Sequence, residues 1–123
     1  MLATFTVKKA DGTTDVTYSL QGNSSDGASY IDATSSLSAP RMVKVSHSLK
    51  PIGSTGSDRH TVLAQAVVLD ANNLPQTMSA SLTWTIPRSS VVSDTLSKDV
   101  LAALVNYLAI SGVKDALIDG IIP

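Results

Sequence analysis

A chain of 123 residues with 43% apolar side chains fits one domain, residues 1–123, with a modest core. Aromatic residues make up only 4%, so that core rests on Val, Leu, Ile and Ala, and the absence of cysteine excludes a disulfide framework or a thiolate metal site. The net charge of −1 argues against a nucleic-acid partner only until it is divided along the chain: residues 1–33 sum to −2, 34–93 to +3 and 94–123 to −2, so the middle is basic. No apolar run approaches the roughly 18 residues that cross a bilayer. Met1 to Phe5 lacks the basic and apolar regions of a secretory leader. The expectation is a cytosolic origin without a membrane partner.

Ala3, Phe5 and Val7 alternate with Thr4, Thr6 and Lys8, and Val16, Tyr18 and Leu20 alternate with Thr17 and Ser19. The turn signal at 10–14 between them predicts an N-terminal β-hairpin over 1–21. Residues 22–27, rich in Gly, Asn and Ser, read as a loop, and 29–32 as a short third strand. A polar connector then leads to Pro40.

Three long period-2 segments follow, at about 41–50, 59–69 and 76–86. One face carries Met42, Lys44, Ser46, Ser48 and Lys50, then Thr61, Leu63, Gln65 and Val67, then Thr77, Ser79, Ser81, Thr83 and Thr85. The other carries Val43, Val45, His47 and Leu49, then Val62, Ala64, Ala66 and Val68, then Met78, Ala80, Leu82, Trp84 and Ile86. Successive strand side chains point to opposite faces, so the sheet over 28–87 has one apolar face and one of hydroxyls and lysines. Loops at 51–58 and 70–75 separate the strands.

Pro87 ends the last strand. Ser93 or Asp94 caps a helix over about 93–109. Leu96, Val100, Leu104 and Leu108 recur every four residues, and Leu101, Val105 and Tyr107 widen the stripe. Gly112 breaks it, and a second short helix runs to Gly120, so helices occupy 93–120. Strands first and helices last predict an α+β domain.

Nothing in the chain requires an enzyme. The two histidines, His47 and His60, lie in the apolar register near strand ends, which suits rim or half-buried side chains better than a base or metal ligand. All ten acids are Asp and sit mostly in turns and helix ends, where Asp bonds to local backbone. No Walker loop and no G-x-G-x-x-G is present. Two questions stay open on residue patterns alone. The polar face fits either a solvated sheet surface or a platform for a polyanion. The wide helical stripe fits either a helix over its own sheet or one that reaches a second chain.

The segments 41–51, 59–68, 74–75, 82–87, 100–104 and 115–119, in this order and spacing, resemble the coat proteins of the small single-stranded RNA bacteriophages. The resemblance covers nearly the whole chain, most closely 41–123. It implies an N-terminal hairpin, a five-stranded antiparallel sheet and two C-terminal helices. It also implies an interlocked homodimer with a ten-stranded sheet, each chain's helices crossing onto its partner. Dimers would then tile an icosahedral shell in the virion, assembled in the bacterial host cytoplasm, with the sheet facing a single-stranded RNA genome. The RNA-facing positions it implies are Lys44, Ser46 and Ser48, Thr61, Leu63 and Gln65, and Ser79, Ser81 and Thr83, with Arg59 and Lys50 adding charge. No cofactor, metal or small-molecule substrate is implied. The chain departs from the pattern at Ser79, where well-studied members carry a tyrosine on which a base stacks. It departs again at Leu63 and Val67, where polar or basic side chains are usual. Hairpin binding should therefore be weaker or differently specified. The loop at 70–76 aligns with the one gathered around the shell's symmetry axes. The remaining alternative is a non-viral β-rich binding module that builds no shell.

Overall fold

A computed structural model describes residues 1–123. Six strands run in chain order: β1 (Thr4–Lys8), β2 (Asp15–Ser24), β3 (Gly27–Asp32), β4 (Arg41–Ser48), β5 (Ser57–Leu69) and β6 (Pro75–Pro87). Two helices, α1 (Asp94–Ala109) and α2 (Val113–Ile118), follow. The sheet is a simple antiparallel meander, each strand bonded to the next, and every peptide bond is trans.

Local chemistry sets the turns. Asp11 accepts from the backbone N–H of Thr13 and Thr14, each at 2.8 Å, and from the Thr14 hydroxyl. These bonds close the β1–β2 turn, where Gly12 takes the positive φ of 72°. Asp70 does the same between β5 and β6: its Oδ1 accepts from Asn72 N–H at 2.8 Å and Leu74 N–H at 2.9 Å. Ser93 caps α1, its hydroxyl accepting from Leu96 N–H at 3.1 Å. Neither helix is long and apolar enough to cross a membrane.

Two sequence expectations are corrected. The hairpin is not a unit beside a five-stranded sheet, because β2 continues into β3 and all six strands form one sheet. Residues 22–24, read as loop, are strand. A register shift between Leu20 and Gly22 lets β2 bend and stay paired, so Gly22 faces Ser29 and Ser24 faces Gly27. Pairing overrides the weak β-propensity of Gly, Asn and Ser there. Gly27 is needed for the close approach of β3 to β4: a Cβ on it would stand 2.2 Å from the Val45 carbonyl oxygen.

The apolar face of the sheet is barely covered. Phe5 stacks on Tyr18 with centroids 5.3 Å apart and meets Tyr30 edge-on at 5.0 Å. Tyr30 and Val113 are the only buried apolar residues, while Val62 in mid-sheet stays 44% exposed. The stripe on α1 spans about half the helix circumference at 100° per residue. Its inner half, Leu101, Val105 and Leu108, faces Val62, Leu82 and Trp84 across an open cleft of about 650 Å3. Its outer half, Leu96, Val100, Leu104 and Tyr107, is exposed. A folded monomer of 12.8 kDa exposes about 6,300 Å2, whereas this chain exposes 8866 Å2, an excess of roughly 2,600 Å2.

Candidate nucleic-acid interface

The ladders align the polar residues of the three long strands into rows. Met42, Gln65 and Ser79 form one row, and Lys44, Leu63 and Ser81 the next. Ser46, Thr61 and Thr83 form the third, and Ser48, Arg59 and Thr85 the fourth. Residues directly opposite in an antiparallel pair share a face. The ten residues expected from sequence, Lys44, Ser46, Ser48, Arg59, Thr61, Leu63, Gln65, Ser79, Ser81 and Thr83, therefore lie together on one face. Thr61, Leu63 and Gln65 on the central strand are half-buried, and the other seven are exposed.

Ion pairing sorts the cations of the basic middle segment. Arg41 is held at 2.8 Å by Asp32, and Arg88 at 3.0 Å by Asp58. Lys44, Lys50 and Arg59 have no acidic partner in the chain, so they carry the local positive potential. The two acids are committed to structure. Asp58 lies below its usual range chiefly because Arg88 donates to it, and next because Lys50 N–H does at 2.8 Å. Arg88 also donates to the carbonyls of Lys50 and Pro51, which pins the base of the β4–β5 loop. Asp32, buried at the end of β3, is lowered first by the Thr34 hydroxyl at 2.7 Å, and further by Thr34 N–H and the Arg41 charge, against its burial.

Most of the hydroxyls are unoccupied. Thr61 and Thr83 approach each other at 3.4 Å, while Ser46, Ser48, Ser79, Ser81 and Gln65 make no side-chain hydrogen bond within the chain. They are free to donate to phosphates or base edges. A hollow of about 470 Å3 opens on this face, lined by Ser29, Lys44, Ser46, Thr61 and Leu63, with Asp26 on its rim. Its outer wall is the bent β2 from Gly22 to Ser24. Sequence reasoning missed Ser29 and this wall. The signal was present, since Ser29 continues the polar alternation and pairs with Lys44, but the Gly, Asn and Ser of 22–25 masked it.

No aromatic side chain stands on the face. Phe5, Tyr18, Tyr30 and Trp84 all lie in the opposite register. Ser79 pairs with Gln65 and is exposed, so the position offers a hydroxyl and no stacking surface. No three histidine, cysteine or carboxylate side chains converge anywhere in the chain.

No protein-family pattern and no curated protein matches this sequence. Solved structures do. The chain superposes on a virus-like particle of bacteriophage NT-214 with a TM-score of 0.72 at 19% identity, over 99% of this chain and 98% of that one. It superposes on the capsid protein of bacteriophage GA with a TM-score of 0.70 at 18% identity, over 98% and 96% of the two chains. A third likeness is to an unassembled bacteriophage coat protein described as an RNA-binding dimer, with a TM-score of 0.67 at 19% identity, over 99% and 97%. At these identities the likeness is one of fold, and it runs the full length of both chains.

Proposed function

We propose that this chain, which has the fold of the phage coat proteins, is a structural shell protein without catalytic activity. In this reading two copies interlock, the dimers close an icosahedral virion shell, and the hydroxyl-and-lysine face holds single-stranded RNA inside it. Assembly would take place in the bacterial host cytoplasm.

The observation that carries the reading is the surface left open. An excess of roughly 2,600 Å2 per chain amounts to about 5,000 Å2 for two, which lies in the range of obligate homodimers. The open surface is also of the right kind, namely the outer stripe of α1 and the apolar sheet face beside it. A second feature points the same way. β6 is a 13-residue edge strand with prolines only at its two ends, Pro75 and Pro87, and no bulge, the sort of edge that pairs with another chain. Two-fold pairing sets a strand against its own copy, here β6 against β6. The joined layer would then have twelve strands, twice the six of this chain, in place of the ten that the resemblance implies.

For RNA, the support is the alignment of unpaired Lys44 and Arg59 with free hydroxyls at Ser46, Ser48, Ser79 and Ser81, together with the Thr61–Thr83 pair, Gln65 and an apolar contact at Leu63. Without an aromatic platform, the roughly 1–3 kcal/mol per base that stacking supplies is missing, so phosphate and hydroxyl contacts must carry binding.

Electron microscopy of the expressed chain, with size-exclusion chromatography read by ultraviolet absorbance, tests both halves. Closed shells eluting with nucleic acid are expected. Small particles free of RNA would overturn the proposal and favour a lone β-rich binding module.

A further inference from the structure

The sheet's other face holds a feature that RNA contact does not use. His47 and His60 stand directly opposite each other on β4 and β5. Their Nδ1 atoms are 2.8 Å apart, and the rings cross at 70° with centroids 4.9 Å apart. Trp84, opposite His60 on β6, has its ring 6.1 Å from the His60 ring. All three line the cleft beneath α1, among Val62, Leu82 and Leu101. No carboxylate hydrogen-bonds to either imidazole; Asp58 lies within electrostatic reach of His60 but is bonded to Arg88 and Lys50 N–H.

We propose that His47 and His60 form a two-imidazole site for a divalent transition-metal ion, copper(II) before nickel(II) and both before zinc(II). Ligand chemistry sets the order, since a given nitrogen site binds copper(II) more tightly than nickel(II) or zinc(II). The Nδ1 separation of 2.8 Å brings both nitrogens within reach of one ion. The ion takes the place of the hydrogen bond between the rings. In the neutral pair the shared Nδ1 proton moves to the unpartnered Nε2 of the same ring, and both Nδ1 lone pairs turn to the metal by rotation about χ2. The two strands hold the imidazoles side by side, so no loop has to close around the ion. Water fills the remaining positions, for which the cleft has room. Among these ions imidazole nitrogen binds copper(II) most tightly. Both ligands come from one chain, so no partner residue is needed to bring the two nitrogens together.

Trp84 is the only tryptophan, the chain has no other histidine and no cysteine, and copper(II) bound beside Trp84 quenches its emission. The intact purified protein, as expressed, is titrated with copper(II), nickel(II) and zinc(II) in a non-chelating buffer and equilibrated overnight. Saturable quenching at one copper per chain is expected, reversed by acid because imidazole binds metal only unprotonated. His47→Gln and His60→Gln should each weaken binding by more than the roughly 10–100-fold that loss of an outer-shell partner costs. Size-exclusion chromatography shows whether each variant still folds. Copper electron paramagnetic resonance of the unsubstituted protein, which needs no variant, should show two coordinated nitrogens. Quenching without saturation, equal affinity in the variants, tighter zinc than copper, or fewer than two nitrogens would each overturn the site.

Discussion

Truncating Leu104 to alanine separates a self-contained chain from one completed by a partner. Leu104 lies on the outer half of the α1 stripe and is 43% exposed in the single chain. Full burial of a leucine side chain is worth about 1.5–3 kcal/mol, so the truncation removes on the order of 1 kcal/mol within one chain. If a partner covers α1, the side chain is fully buried, and Leu→Ala costs about 2–5 kcal/mol per site. A symmetric dimer holds the site twice, so about 4–10 kcal/mol is lost per dimer, enough to weaken association by about a thousandfold or more. The assay is light scattering coupled to size-exclusion chromatography, with thermal unfolding at several protein concentrations. The unsubstituted protein should be assembled, with a Tm that rises with concentration. The variant should run as small species at the same concentration. Asn106→Ala, on the polar side of the same helix, should change neither property. A Leu104→Ala protein that stays assembled, with Tm lowered by only a few degrees at every concentration, would refute the reasoning.

Lys44→Ala should release RNA at lower salt and reduce the slope of log affinity against log salt by about 0.7, the single-strand value for one phosphate contact; an unchanged slope removes Lys44 from the interface. The Asp11 carboxyl is held down to about 2 by the Thr14 hydroxyl first, then by Thr14 and Thr13 N–H. Because its folded value lies below its usual 3.8, its contribution to the hairpin is complete above 3.8 and is lost as pH falls toward 2. Carbon-detected NMR should place its midpoint near 2, and a midpoint at 3.8 would show that the turn bonds do not form. Gly27→Ala drives a Cβ to 2.2 Å from the Val45 carbonyl oxygen, so β3 and β4 must part. The cost should be at least about 1–3 kcal/mol, read as a lower denaturant midpoint, and an unshifted midpoint would mean the strands yield freely.

Much of the candidate interface was legible in the sequence because strand alternation is strictly local. Once Lys44, Ser46 and Ser48 are placed on one side of β4, the same parity places Thr61, Leu63 and Gln65 on β5 and Ser79, Ser81 and Thr83 on β6. The ladders then bring the three sets together, as Gln65 against Ser79 and Ser46 against Thr61 show. The stretch 22–24 was not legible. Its Gly, Asn and Ser have the composition of a loop, and it is strand only because β3 lies beside it and a bulge restores register. The free charge was half legible: Arg41 and Arg88 count with Lys44 and Arg59 in sequence, but Asp32 and Asp58 neutralise them in space.

The amino-acid order alone determined the two sheet faces, the turns at Asp11 and Asp70, a helix start capped by Ser93 or Asp94 and the break at Gly112. Each depends on side chains and backbone groups no more than about four residues apart, so neighbours suffice to specify it. Only the tertiary structure decided that six strands share one sheet, that Arg88 is held by Asp58 thirty residues away, and that His47 meets His60 across thirteen. It alone decided that α1 stands off its own sheet with half its apolar stripe uncovered. These outcomes turn on strand register and on how much apolar surface a single chain can hide, quantities that no local pattern contains.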